Sequence, residues 1–315
     1  MLGLKANPHE PCSLITRSTC SALLNVSFSG LRSAGSNGLG AESVLQLSKH
    51  NPAKIYLGAR DESRAQRSIA SIKSFVPDAK IEFLPLDLAS LKSVKQAADA
   101  FTASSDRLDI LMNNAGIMAC PAGLTKEGYE IQLGTNHLGH ALLTKLLSPI
   151  LEKTAETKND ARIVNLSSSA HTWAPRGGLV LKDATTDMKR YSTWSRYGQS
   201  KLANIYYTRE LARRYPSIKS VAIHPGSVGT GLISGPAASY PYVGWLLRRL
   251  HPIVTVSVQE GALNQLWAAV SPDARSGHFY YPVAKDFWGS EQVRDDAKAL
   301  NLWEWTEVEL KKQGY

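Results

Sequence analysis

Short apolar runs and amphipathic helical stretches take turns along this chain from about residue 41 onward, and that alternation restricts the fold more than any other feature. The pattern predicts helices over residues 41–50, 62–75, 91–103, 125–151, 196–215 and 258–269. Between them it predicts strands over 54–59 (KIYLGA), 80–86, 108–112 (LDILM), 161–166 (ARIVNL), 219–223 and 278–282. Strands separated by helices cannot pair as hairpins. They form a parallel sheet covered on both faces, so the expected fold is α/β, a single-domain doubly wound (Rossmann) sheet with its ligands at the carboxyl ends of the strands.

At 315 residues and 43% hydrophobic content the chain can bury the core of one such domain plus a short extension. A domain over 33–315 preceded by an atypical leader over 1–32 is expected. Basic residues exceed acidic ones by nine but are scattered, so no nucleic-acid partner is expected. Cys12, Cys20 and Cys120 offer neither a disulfide framework nor metal-ligand spacing, which points to a reducing compartment, the cytoplasm, and to no metal. No apolar run reaches the length of a spanning helix. Residues 240–258, interrupted by Arg248, Arg249 and His251, are read as a lid over a pocket, with membrane-surface contact as the alternative. The leader is rich in Ser and Thr and loosely like a transit peptide, though poorly amphipathic.

Every motif that carries chemistry is expected at the carboxyl edge of that sheet, where ligands bind. Tyr197-Gly-Gln-Ser-Lys201 puts a phenol and an ammonium on one helical face. A cation beside the phenol is the direct way to bring its pKa down from about 10 toward neutrality, which takes about 4 kcal/mol. Upstream lie a glycine loop, Ser33-Ala-Gly-Ser-Asn-Gly-Leu-Gly40, then Asn113-Asn114-Ala115-Gly116, Asn136 within a helix, and the run Ser167-Ser168-Ser169. Small residues in such a loop let a helix N-terminus approach a pyrophosphate. At the end of the second strand, where an acid would bind a ribose 2′-hydroxyl, the chain has Arg60, whose guanidinium suits a 2′-phosphate; Asp61 beside it keeps the alternative open.

Taken in this order, the motifs resemble the short-chain dehydrogenase/reductase family, in its retinol-dehydrogenase-like and fungal ketone-reductase branch, over residues 33 to about 310. The resemblance implies an NADP-dependent oxidoreductase that interconverts a carbonyl and an alcohol on a small molecule, a ketoreductase of secondary metabolism. It implies a catalytic set of Ser168, Tyr197, Lys201 and Asn136, with Ser167 and Ser169 as register alternatives for the serine. Tyr197 would donate the proton in reduction, Ser168 would polarise the substrate oxygen, and Asn136 would hold a water linking the lysine to solvent. The implied NADP (NADPH) site comprises Gly35, Gly38, Leu39, Gly40, Arg60, Asp87, Leu88, Asn114, Ala115, Gly116, Lys145, Tyr197, Lys201, Pro225, Gly226, Val228 and Thr230. For Lys145 a plain surface role is the alternative. Trp173, Trp194, Tyr240, Tyr242, Trp245, Leu246 and Leu247 would give the pocket an apolar or aromatic lining. His171 and His224 could serve a hydrolytic serine, but no G-x-S-x-G elbow surrounds Ser168, so both are expected to be structural or lining residues.

The first glycine of the loop is Ala34 or, with one deletion, Gly35. The stretch before it, Leu23 to Arg32, alternates polar and apolar residues and sits too early for a central buried strand. Either residues 1 to about 34 are not the segment with which this fold evolved, or the first strand is eccentric. A cofactor-binding protein without turnover is the rival to the enzyme. The partner is a small-molecule substrate; the sequence does not fix oligomeric state.

Overall fold

Continuous apolar runs become strands here because both faces of each are buried. In β4 (Ile110–Asn113), Leu111 joins one core cluster while Ile110 and Met112 join another. In β5 (Arg162–Leu166), Ile163 turns to the first side and Val164 and Leu166 to the second. A strand exposed on one face would show polar residues at every second position, and these do not. The computed structural model describes residues 21–25, 38–228, 239, 256–287 and 290–315.

The other elements are β1 (Ser21–Asn25), α1 (Leu39–Ser48), β2 (Lys54–Ala59), α2 (Glu62–Phe75), β3 (Ile81–Pro85) and α3 (Leu91–Ser104), then, after β5, α5 (Thr193–Arg214) and β6 (Lys219–Ile223). Between β4 and β5 runs α4, composed of Ile131–Leu133, a π-helical turn at Gly134–Leu138, and Gly139–Lys158. The chain closes with α6 (Val258–Val270), β7 (Phe279–Tyr281), β8 (Lys285–Asp286) and α7 (Asp296–Lys312). The sheet order is β3-β2-β1-β4-β5-β6-β7-β8, parallel except for the β7–β8 pair. Chain progression reverses between β1 and β4, and the crevice above that switch point is where doubly wound sheets bind ligands. One face is covered by α3, α4, α5 and α7, the other by α1, α2 and α6.

Most predicted elements agree to within two residues. The long helix begins at Ile131 instead of residue 125, because Glu130 caps it through bonds from the Gln132 and Leu133 backbone N–H groups. It also runs through Pro149 to Lys158. Strand β1 lies inside the segment expected to be a leader, and it pairs with β2 and β4 at the centre of the sheet. Residues 26–38, the stretch from β1 to the start of α1, include Ser33, Ala34 and Gly35. Positions 26–37 lie outside the described residues, as do Cys12, Cys20, Thr230, Tyr240, Tyr242, Trp245, Leu246 and Leu247. Cys120 is half-buried and burial pushes its thiol up to about 11. Among the described residues no helix is long and apolar enough to cross a membrane, and no cluster has the make-up of a metal site.

A buried ion pair fixes where α5 begins. Glu130 and Arg196 are both buried, with Oε1 and Nη1 2.9 Å apart, and the second guanidinium nitrogen donates to the Cys120 carbonyl at 3.3 Å. Burial raises the Glu130 pKa, against the backbone bonds and the guanidinium, which lower it. Replacing one partner leaves the other uncompensated. Arg196→Met is expected to lower stability by about 3–5 kcal/mol near neutral pH, read from urea denaturation. Protonation relieves a stranded carboxylate, so the deficit should shrink as pH falls; a deficit that grew would assign the loss to another cause.

Candidate active site

The phenol and ammonium predicted to share a helical face do so at the carboxyl edge of the sheet. Tyr197 and Lys201 are both buried on α5, and the Lys201 ammonium lies 5.7 Å from the centroid of the Tyr197 ring. Lys201 Nζ donates to the main-chain carbonyl of Leu166, the last residue of β5, at 3.0 Å. Asn204 donates to the same oxygen at 2.9 Å. The Ser167 hydroxyl donates to the main-chain carbonyl of Lys201 at 2.8 Å, so β5 grips both the backbone and the side chain of the lysine.

That bond gives Ser167 a structural task, and Ser169 is exposed. Ser168, between them, caps the short helix Ser169–Trp173 and stands in hydrogen-bonding reach of the Tyr197 phenol. Of the three serines it is the one brought to the tyrosine. Next door, His171 directs Nδ1 to the Ser168 main-chain carbonyl at 2.8 Å, not to its hydroxyl, and packs edge-on against Phe279. His224 packs edge-on against Tyr281, and burial pushes its pKa down to about 4. Neither histidine forms a hydrolytic pair with Ser168.

Asn136 sits at the centre of the π-turn of α4, fully buried, where the helix makes one wide turn. Its side chain bridges three segments. Oδ1 accepts from the Ile117 N–H at 2.8 Å, while Nδ2 donates to the Ile117 carbonyl at 2.9 Å and to Ser200 Oγ at 2.9 Å. Ser200 in turn donates to the Tyr197 carbonyl at 2.8 Å. Gly116 is wedged against this cluster: a Cβ there would come within 3.2 Å of Asn136 Oδ1 and 3.4 Å of Lys201 Nζ. Ser168, Tyr197, Lys201, Asn136 and Gly116 thus converge.

The protonation balance differs from the sequence expectation. Burial pushes the Tyr197 phenol up to about 12, and the Ser168 hydrogen bond opposes it only in part. Burial pushes the Lys201 ammonium down to about 8. Desolvation thus outweighs the expected acidifying effect of the lysine, and the phenol keeps its proton across the neutral range.

The residues predicted to hold a dinucleotide divide into two groups. Gly38 is the N-cap of α1 with no side-chain cap, and no described residue lies within 4 Å of where its Cβ would stand; Leu39 and Gly40 follow in the first turn. Arg60 is exposed and forms no ion pair or hydrogen bond among the described residues, whereas Asp61 is engaged: it caps α2 through the Arg64 N–H at 3.0 Å and pairs with Arg64 Nε at 3.2 Å. Asp87 accepts from the Ala89 N–H and lies 3.7 Å from Lys126, with buried Leu88 beside it. Asn114 leaves its buried Oδ1 without a partner among the described residues, at the crevice end of β4 next to Ala115 and Gly116. Among the described residues, an uncapped helix N-terminus, a guanidinium without a partner and an unsatisfied amide oxygen lie along one sheet edge, a set that fits an anionic dinucleotide. Pro225, Gly226 and Val228 follow β6, and Val228 bridges to Val256. Gly261 of α6 has only hydrogen where a Cβ would meet Val228 Cγ2 at 2.4 Å and Leu39 Cδ2 at 2.9 Å, so this loop packs down on the start of α1. Lys145 Nζ donates to Glu307 of α7 at 2.7 Å and ties two helices together.

Several supporting residues lay outside the sequence prediction. Asn113 donates to Thr144 at 3.1 Å and to Asn165 at 2.8 Å, Asn165 donates to Thr208 at 2.9 Å, and Thr208 bonds to the Asn204 carbonyl at 2.8 Å. This buried seam crosses β4 and β5 and ends on the Leu166 carbonyl that holds Lys201. Its signal was an asparagine inside each of two otherwise apolar strands. Of the expected lining residues, Trp173 and Trp194 meet edge-on at 5.5 Å, with Trp173 exposed.

A family profile described as short chain dehydrogenase matches residues 33–237. The chain is 36% identical over 300 residues to the short-chain dehydrogenase/reductase drtF of Aspergillus calidoustus, covering 90% of this chain and 93% of that protein. It is 35% identical over 270 residues to retinol dehydrogenase 12 of Mus musculus, covering 84% and 81%. A solved structure of an uncharacterised protein from Mycobacterium paratuberculosis superposes with a TM-score of 0.71 at 28% identity, over 95% of this chain and 96% of that one.

Gly198, between Tyr197 and Gln199, lets α5 touch the backbone of the serine turn: a Cβ there would fall 2.5 Å from the Ala170 carbonyl and 2.7 Å from the Ala174 nitrogen. Gly198→Ala must push that turn, and Ser168 with it, off the tyrosine. A displacement of about 1 Å costs on the order of 100-fold in rate. Turnover is expected to fall by that order while the far-ultraviolet circular dichroism spectrum stays unchanged; retained turnover would show that this contact does not set the geometry.

Proposed function

The chain belongs to the short-chain dehydrogenase/reductase family, and from that premise we propose that it is an NADP-dependent oxidoreductase interconverting a carbonyl and an alcohol on an apolar or aromatic small molecule. The observation that carries the proposal is the convergence of Ser168, Tyr197 and Lys201 beside Gly116, at the sheet edge where a dinucleotide fits. When bound, the nicotinamide supplies or accepts hydride. Everything else falls to side chains of this chain. Ser168 donates to the substrate oxygen and orients it, and Tyr197 transfers the proton. With the phenol held protonated by burial, Tyr197 is prepared as an acid, so the reductive direction is the one its ground state serves. Lys201 places a positive charge beside the ring, where it stabilises the phenolate that forms as the proton leaves.

Tyr197→Phe removes the transferred proton and little volume. It is expected to abolish NADPH consumption with a panel of aromatic ketones and aldehydes while leaving NADPH binding, followed by its fluorescence, within about two-fold. Retained turnover would remove Tyr197 from this role, and a wild-type protein that binds NADPH yet consumes it with no carbonyl would favour a cofactor-binding protein without turnover.

The cofactor preference rests on Arg60 and Asp61 together. Arg60 has its guanidinium free among the described residues, while the one neighbouring acid that could favour NAD is spent on α2 and Arg64. Arg60→Asp is expected to move the ratio of kcat/KM for NADPH over NADH toward NADH by about ten-fold or more, the scale of one charge-assisted contact. An unchanged ratio would take Arg60 out of the site.

A further inference from the structure

Carbonyl reduction withdraws a proton from the protein at each turnover, and its source is enclosed: Tyr197 and Lys201 are both buried. The proton has to be replaced from solvent through the interior. One side chain at the π-turn is built for that path. His140, buried one turn beyond Asn136, directs Nδ1 to the Asn136 main-chain carbonyl at 2.9 Å. A carbonyl only accepts, so Nδ1 carries the ring hydrogen, and a neutral imidazole then presents Nε2 as a bare lone pair. Burial keeps the ring neutral, pushing its pKa down to about 4; the Asn136 carbonyl opposes this, and the nearby charge of Lys201 lowers it further. Nε2 is sealed from solvent and has no hydrogen-bond partner among the described residues. A buried bare acceptor is unfavourable until a donor meets it, and water is the donor small enough to enter. His137, three residues back, repeats the arrangement, with Nε2 on the Thr306 hydroxyl of α7 at 2.8 Å and Nδ1 unpartnered among the described residues.

We propose that His140 is a positioning residue on the proton route, its Nε2 lone pair anchoring a water from which Lys201 recovers the proton that Tyr197 gives up. This rests on the oxidoreductase reading above. The balance closes as follows. The substrate carbon gains hydride from the bound nicotinamide and the substrate oxygen gains the Tyr197 proton. The phenolate is reprotonated at the expense of the Lys201 ammonium, the amine takes a proton from the anchored water, and a solvent proton restores that water. One solvent proton enters per carbonyl reduced, and His140 is unchanged at the end.

Two substitutions separate this role from a structural one. In His140→Asn the amide nitrogen can still donate to the Asn136 carbonyl but nothing stands at the Nε2 position. In His140→Gln a longer amide reaches the Nε2 position and gives up the carbonyl. The route predicts that H140N lowers kcat about ten-fold or more, with carbonyl KM and NADPH affinity within about two-fold, and that H140Q recovers most of the loss. The opposite order, equal losses accompanied by lower melting temperatures, or no loss in either variant would each overturn it. A readout independent of turnover is the imidazole tautomer by nitrogen-15 NMR, expected to be Nδ1–H and neutral from about pH 6 to about pH 8. An Nε2–H tautomer overturns the proposal whatever the activity. A wild-type protein inert toward every carbonyl, with the Nδ1–H tautomer intact, sinks the oxidoreductase reading first and the route with it.

Discussion

A buried ammonium has to be held by oxygen, and in this protein the oxygen is the Leu166 carbonyl at the end of β5. The rest of the candidate site depends on that bond. A parallel strand that terminates at the switch-point edge leaves its last carbonyl without a ladder partner, and Lys201 with Asn204 satisfies it. With Ser167 donating back to the Lys201 carbonyl, α5 is pinned at one height above the sheet, and Tyr197, one turn earlier, is placed over Ser168. The seam from Asn113 through Asn165, Thr208 and Asn204 locks the same carbonyl from below. A polar network of this kind is favourable only when its members find partners, which is why it also fixes one register for β4 against β5.

Burial that secures the lysine also decides the resting state of the tyrosine. The motif alone suggested a phenol acidified by its neighbour. In the folded chain desolvation dominates both groups, raising Tyr197 and lowering Lys201. The two shifts have one cause, since each removes a charged form from a place where water cannot reach it. The outcome is a neutral phenol beside a cation held near the middle of its titration. Such a pair is prepared to give a proton away, and the amine is prepared to pass the next one along.

Much of this was legible in the sequence because parallel sheets write themselves in unbroken apolar runs and their connecting helices in period-3.6 stripes. KIYLGA and the helix after it fell where predicted, to the residue. That Tyr197, Lys201, Ser168 and Asn136 would be brought together was legible because helical spacing and strand-end position are local properties. Three things were not legible. The start of α4 depended on Glu130 acting as both cap and ion-pair partner, a tertiary fact. The bond from Lys145 to Glu307, 162 residues away in the C-terminal helix α7, is a tertiary contact that no local pattern announces. The first strand was expected to be central yet looked half-exposed; its pairing with β2 and β4 follows from topology, since the sheet must have a strand between them.

Polar residues misplaced by the rules of local propensity turned out to be the ones that assemble the site. An asparagine inside LMNN or RIVNL, and two histidines inside the apolar start of α4, each cost free energy where they stand unless a partner is brought to them. For the asparagines the Nδ2 groups of both and Oδ1 of Asn165 find partners in the seam, while Oδ1 of Asn113 finds none among the described residues. For His140 one nitrogen is satisfied and the other is not. Among the described residues several buried polar atoms near the site stay unpartnered, Asn113 Oδ1, Asn114 Oδ1 and His224 Nδ1 with them, and the bare Nε2 of His140 is an acceptor that a species able to come and go can meet. In a site whose chemistry consumes a proton at each cycle, the mobile species that fits is water.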